Sequence, residues 1–390
     1  MLPARSRRSI LFASKHILRS RNPQLASFSL STRPACRSCL SSRPLAIQPL
    51  SRYNLVFARH ATVVHNTEPD SLEQNRVTKH KPILPPSLKQ LPKLYKELSK
   101  SKLAFLVALT TMSGYAIAPG AATVSTLLYT TVGTTLCISS ANAINQWIEV
   151  PYDAQMLRTR NRVLGRRQLS SFHAFSFGIL TGAAGVSMLA TMVNPLTAAL
   201  GAGNLLLYTC IYTPMKRASI ANTWVGAIVG AIPPMMGWTA VTNGLEPGAW
   251  VLGGILYAWQ FPHFNALAWN LRADYSKAGY RMMAVTDPKL NARVALRHSL
   301  AMVPLSLSIP YLDLTSWWFA LDSSVVNATL IYGAYKFWQK SDEKTARQLF
   351  FGSLIHLPVL LALMMVHKTY RNDDSYLLSL EDEEDDEDEE

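Results

Sequence analysis

Residues 122–166 read ATVSTLLYTTVGTTLCISSANAINQWIEVPYDAQMLRTRNRVLGR. The first part, 122–146, carries no charge and is long enough to cross a bilayer, which takes about 20 residues of helix. Two acids follow, Glu149 and Asp153, and then Arg158, Arg160, Arg162, Arg166 and Arg167. An uncharged helix that runs into acids and then arginines predicts a transmembrane span with its basic end held at one membrane surface.

The same pattern recurs outward from this stretch. Nine apolar stretches are predicted as spans, near 103–118, 122–146, 171–193, 195–214, 220–242, 248–268, 296–313, 318–338 and 349–367. Pro304, Pro310, Asp313 and Asp322 interrupt the seventh and eighth. The even-numbered loops hold the cations. After the second loop come Lys216 and Arg217 in the fourth, Arg272, Lys277, Arg281, Lys289 and Arg293 in the sixth, and Lys340, Lys344 and Arg347 in the eighth. The odd loops, 119–121, Asn194, 243–247 and 314–317, have no Lys or Arg. Such alternation predicts a single positive side. The expected fold is an all-α polytopic membrane protein, with about nine transmembrane helices around a central intramembrane cavity. Gly226 and Gly230 form a GxxxG that would let the fifth span pack closely.

Composition agrees. Charged residues make up 16% of the chain, against about 25% in soluble domains. The net charge of +13 is uneven: residues 1–67 hold eleven Lys/Arg and no acid, and 381–390 are all acidic. No basic patch with interleaved aromatics appears outside the leader, so no nucleic acid is expected as a partner. An Arg- and Ser-rich, acid-free start is the composition of a mitochondrial transit peptide. The expected organisation is a transit peptide and leader over 1–67 and a linker over 68–102, which ends in a basic interfacial helix with Lys93, Lys96, Lys100 and Lys102. A membrane domain over 103–368 and a solvated acidic tail over 369–390 follow. In a mitochondrion the positive side would be the matrix. Cys36 and Cys39 form a C-x-x-C in the leader, with no second pair to complete a zinc site. Cys137 and Cys210 fall in apolar runs and are expected to be buried.

Chemistry needs intramembrane acids, and these are scarce. Asn145, Glu149 and Asp153 are spaced i, i+4, i+8, which puts three oxygen donors on one stripe of a continuous helix. Pro151 would kink or unwind it there. Hard oxygen donors suit Mg²⁺, which joins one or two carboxylates to substrate phosphates. Arg158 and Arg162 just downstream match phosphate oxygens. The same charges would also serve as ordinary interfacial groups at a helix end. A second cluster lies in QFPHFNALAWNLRADYSKAGY, residues 260–280, with His263, Asn270 and Asp274 predicted on one helical face. Asp274 could instead pair with Arg272 or Lys277. Lys216 and Arg217, in YTPMKRASIANTWVGAIVGAIPPMMGW at 212–238, are expected to neutralise a departing diphosphate, although sidedness alone also explains them. Tyr208, Tyr212, Trp259 and Phe264 are candidate cavity aromatics. His356 is expected to be a hydrogen-bonded histidine.

At these residues the chain resembles the UbiA superfamily of intramembrane prenyltransferases. The matching blocks are N-x-x-x-E-x-x-x-D followed by MLRTRNR, YTPMKR with NT-x-x-GA-x-x-GA-x-PP-x-x-GW, WQFPHFNALAW-x-x-R-x-DY, and LTTMSGYAIAP at 109–119. The resemblance covers roughly residues 100–368. It implies Mg²⁺ held on farnesyl diphosphate by Asn145, Glu149 and Asp153, with Asp274 assisting. It also implies substrate contacts from Arg158, Arg162, Lys216, Arg217, Asn270, Tyr208 and Tyr212, and a catalytic part for His263. The superfamily commonly has Asp where this chain has Glu149, and Asp where it has His263 and Asn270. Glu149 and His263 look like the mitochondrial haem-modifying branch. That implies farnesyl transfer to the vinyl group of haem b, with the product passed to a haem A synthase, in an enzyme of the inner membrane. A UbiA-type prenyltransferase of an aromatic quinone precursor, a mitochondrial anion transporter and a non-catalytic assembly factor are the alternatives.

Overall fold

The computed structural model describes residues 87–369. The expected transit peptide, the C-x-x-C and all but the first residue of the expected acidic tail lie outside them. The described residues are all-α. A short helix α1 (Leu91–Leu98) precedes α2 (Ser101–Ile117), α3 (Val124–Asp153), α4 (Ser171–Met192) and α5 (Pro195–Leu206). The last continues through a π-helical turn, Leu207–Tyr212, into α6 (Thr213–Ala218). Then come α7 (Asn222–Thr242), α8 (Pro247–Asn270), the short α9 (Arg272–Lys277) and α10 (Met283–Thr286), α11 (Pro288–Tyr311), α12 (Trp318–Lys340) and α13 (Glu343–Val366).

Local chemistry sets where helices start. The side chains of Thr123, Ser170, Asn194, Asp287 and Asp342 each accept a backbone N–H three residues on. Each supplies an acceptor that the first helical turn otherwise lacks. Pro195, Pro247 and Pro288 occupy first helical positions, where a missing N–H costs nothing.

Between helices in lipid, packing depends on close approach rather than on hydrophobic transfer. The contact of α2 with α7 is the clearest case. A Cβ on Gly114 would lie 2.0 Å from the Pro234 carbonyl oxygen, and one on Gly237 would lie 1.9 Å from the Thr111 carbonyl oxygen. The two backbones therefore touch, and only glycine fits. In the GxxxG of α7, a Cβ on Gly230 would collide with the Gln260 amide and one on Gly226 with the Tyr212 ring. One large core, including Leu252, Ile255, Phe319 and Phe337, joins α8 to α11, α12 and α13.

Each apolar stretch read from the sequence falls on a helix. Among the described residues, four segments are long and apolar enough to cross a membrane: Ser171–Met192, Pro195–Ala218, Asn222–Thr242 and Glu343–Val366. Large apolar side chains such as Phe105, Leu128, Leu180, Trp250, Val325 and Ile355 are exposed. Aqueous surfaces rarely display so many, whereas a lipid-facing surface requires them.

Four local expectations change. The basic segment at 92–102 is not one helix, because Lys100 adopts a left-handed backbone (φ 49°) that separates α1 from α2. No break occurs at Pro151; α3 runs through it and ends at Asp153, so the lost carbonyl partner affects only the last turn. The helix carrying His263 stops at Asn270, and Leu271 (φ −105°, ψ 10°) turns the chain before Asp274. Cys137 is buried, but Cys210 is exposed.

Candidate active site

The end of α3 with the arginine-bearing loop after it, the basic end of α6 and the α9–α10 segment converge on one cavity of about 450 Å³. Three of the cation-bearing even loops therefore meet at one place. Asn145, Glu149 and Asp153 all face it, each at most 5% exposed. Their i, i+4, i+8 spacing puts them on a single stripe of α3, as the helical period requires.

Cations surround these donors. Lys216 Nζ donates to Glu149 Oε1 at 2.7 Å. Arg162 Nη1 bonds Asp153 Oδ2 and lies 3.7 Å from Glu149 Oε2. Lys100 Nζ donates to Asn145 Oδ1 at 2.9 Å. Arg158 also lines the cavity. A cluster of buried charges is costly unless each is paired, so most of this polar ring is internally matched. One oxygen is not: Asp153 Oδ1 is buried with no hydrogen-bond partner among the described residues. The hydroxyl of Tyr280, another lining residue, is likewise unpaired. The carboxylates of Glu149 and Asp153, with one oxygen unclaimed and Asn145 beside them, fit a hard divalent cation such as Mg²⁺. Among the described residues no three His, Cys, Asp or Glu side chains gather at metal-binding distance, so such an ion would need ligands from Asn145 and a substrate.

The π-helical turn sets the register of the opposite wall. Thr213 Oγ1 donates to the Tyr208 carbonyl at 2.9 Å and accepts from Asn145 Nδ2 at 3.1 Å. The turn brings Tyr208, Tyr212 and Lys216 to the cavity together, with Lys216 Nζ 4.6 Å from the Tyr212 ring centroid. Single π turns inside α-helices frequently mark functional sites. The α9–α10 segment is tied down by Arg281 N to the Lys216 carbonyl at 2.8 Å and by Asn222 Nδ2 to the Arg281 carbonyl at 3.0 Å.

Four residues expected at the site, Asp274, Asn270, Arg217 and Trp259, do not line the cavity. Asp274 sits on α9, beyond the turn at Leu271. Asn270 Nδ2 donates to the carbonyl of Ala266 on its own helix. Arg217 Nη1 donates to the Tyr152 hydroxyl and stacks over that ring. His263 and Phe264 do line it. Sequence reasoning missed Lys100, Tyr280 and the pair Asn265 and Asn291. Those two asparagines exchange amide-to-carbonyl bonds at 3.0 and 3.1 Å and clamp α8 to α11. For Lys100 the signal was its place at the mouth of the first span. The asparagine pair has no local signal.

An acid and cation rim over an apolar cavity, built on helices alone, defines a class. The UbiA prenyltransferase family matches residues 107–355, and the chain belongs to that family. It is 55% identical over 278 residues to the mitochondrial protoheme IX farnesyltransferase of Homo sapiens, covering 71% of this chain. The chain spans 63% of the length of that relative. Among solved structures it resembles a digeranylgeranylglyceryl phosphate synthase, with a TM-score of 0.62 at 15% identity, over 72% of this chain and 99% of the other. It also resembles a UbiA homologue from Archaeoglobus fulgidus bound to DMAPP and Mg²⁺, with a TM-score of 0.54 at 14% identity, over 70% of this chain and 99% of the other. At such identities these two structures speak for the fold alone.

Proposed function

We propose that this protein is a mitochondrial inner-membrane enzyme that transfers the farnesyl group of farnesyl diphosphate to a vinyl group of haem b, giving haem O. The observation that carries the reading is the buried pair Glu149 and Asp153, ringed by Lys100, Arg162 and Lys216, with Asp153 Oδ1 unclaimed. The 55% identity to a protoheme IX farnesyltransferase supports haem b as acceptor. The basic loops around the cavity support a matrix-facing site, and the product would pass to a haem A synthase.

Asn145, Glu149 and Asp153 are the residues that would hold Mg²⁺. When bound, the ion supplies positive charge against the diphosphate as its C–O bond breaks. Asp274 lies outside the cavity lining and is left out of this ligand set. Arg158, Arg162, Lys216 and Lys100 take the remaining diphosphate oxygens, with Arg162 and Lys216 exchanging carboxylate partners for phosphate. Preorganised cations of this kind act on charge that grows in the transition state, and losing one such donor costs about 10²–10³ in rate. Tyr208, Tyr212, Phe264 and Phe350 wall the cavity. Their rings exclude water and stabilise positive charge on the allylic fragment. The vinyl carbon of haem b bonds to the farnesyl C1, and water then adds to the neighbouring carbon and loses a proton, leaving a hydroxyethylfarnesyl group.

The test is a single assay of the purified protein with farnesyl diphosphate and Mg²⁺, offered haem b or 4-hydroxybenzoate. Mass spectrometry should find farnesyl plus water added to haem b. Prenylated benzoate, or diphosphate exchange across the membrane without turnover, would contradict the reading.

A further inference from the structure

His263 lines the cavity, and its ring is held on both sides. It stacks on Trp259 with centroids 4.7 Å apart and on Phe350 with centroids 4.8 Å apart. Its Nδ1 lies 2.9 Å from Ser353 Oγ, on α13. That oxygen also lies 2.7 Å from the carbonyl oxygen of Phe350. A serine hydroxyl has one proton, and a carbonyl oxygen only accepts. With the Ser353 proton given to the Phe350 carbonyl, Ser353 Oγ accepts from His263 Nδ1. That arrangement is the neutral histidine with its proton on Nδ1 and a lone pair on Nε2. No described residue meets Nε2.

We infer that Ser353 is a positioning residue: it holds His263 as the Nδ1–H tautomer, so that Nε2 is offered to the cavity as a nitrogen ligand for the iron of a porphyrin acceptor. This rests on the haem b reading of the function. Metal-binding histidines ordinarily donate their other N–H to an acceptor that fixes ring orientation and tautomer. Ser353 supplies that acceptor from a helix other than the one carrying His263. The aromatic sandwich prevents the ring from rotating away. Trp259 Nε1 donates to the Ser353 carbonyl at 2.9 Å, so the same serine is also docked to α8 through its backbone.

The experiment adds ferric haem b to the purified full-length protein in detergent and records visible and EPR spectra together with haem affinity. Wild-type protein should show imidazole ligation, and His263→Ala should lose it. Ser353→Ala removes the acceptor, so haem affinity should fall by about tenfold or more, with mixed ligation. Ser353→Thr keeps the hydroxyl and should restore both. Trp259→Phe cuts the other tie to α13 yet leaves the hydroxyl, so the ligation signature should persist. Farnesyl diphosphate binding in each variant reports an intact fold. If Ser353→Ala does not fold, Ser353→Cys, whose thiol accepts only weakly, carries the same expectation. Wild-type spectrum and affinity in the serine variant, or equal loss in Ser353→Ala and Trp259→Phe, would overturn the inference. A wild-type protein that binds no haem b would overturn the acceptor reading and this inference with it.

Discussion

Lys216 donates to Glu149 at 2.7 Å, joining α6 to α3 across 67 residues of sequence. Both side chains are buried, at 11% and 7% exposure. The bond therefore ties the two walls of the cavity together and keeps a cation where the proposed reaction would bring a diphosphate.

Breaking this pair from one side should cost more than removing it. Lys216→Met leaves buried Glu149 with only the longer contact to Arg162 at 3.7 Å, and losing one partner of a buried pair costs up to about 3–5 kcal/mol. The double variant Lys216→Met/Glu149→Gln should regain much of that stability and remain inactive. Thermal unfolding in detergent, read beside turnover, checks both halves. A double variant no more stable than the single one would mean that the two groups are not coupled.

Close contact between α2 and α7 makes a second prediction. Gly114→Ala and Gly237→Ala each place a Cβ about 2 Å from backbone, and forcing helices apart typically costs about 1–3 kcal/mol or more. Gly203 and Gly352 have nothing within 4 Å of such a Cβ. Alanine there should be neutral or stabilising, because glycine inside a helix loses more entropy on folding. A Tm series over the four variants should separate them cleanly into two pairs. Equal Tm values would remove the packing argument.

The helices were readable because charge, hydropathy and capping residues are local properties. The arginines after Asp153 and the stripe Asn145, Glu149 and Asp153 follow from helical spacing alone. What escaped the sequence depends on chain reversals. Asp274 shares a helical face with His263 only while the helix continues, and Leu271 ends it. Lys100 looks like one more surface lysine until its left-handed backbone turns it into the cavity. The π-helical turn changes the register of Tyr208, Tyr212 and Lys216 through a hydrogen bond from Thr213. The Asn265 and Asn291 pair exists only when α8 meets α11.

Asp342 offers a test outside the membrane. Its carboxylate accepts from the Thr345 hydroxyl at 2.6 Å and from the Thr345 backbone N–H at 2.7 Å. The Thr345 side-chain bond, followed by the backbone bond, holds the Asp342 carboxyl below the ordinary aspartate range. A depressed folded value stabilises the protein above the unfolded pKa, and that stability is lost as pH falls through the folded one. Asp342→Ala should therefore be less stable than wild type at neutral pH. The gap should close in acid, below the usual aspartate range. Denaturation at a series of pH values checks this, and a gap that widened in acid would contradict it.

The most direct test of the metal-diphosphate site is the rate of pyrophosphate release from farnesyl diphosphate, with Mg²⁺ and haem b present, in wild type and Asp153→Asn. The substitution preserves shape and removes the one carboxylate whose Oδ1 is left unclaimed. The rate should fall by about 10³-fold or more, some 4 kcal/mol of transition-state stabilisation, while farnesyl diphosphate-independent folding, read by circular dichroism, is retained. Release within a few fold of the wild-type rate would show that Asp153 does not hold the reacting diphosphate.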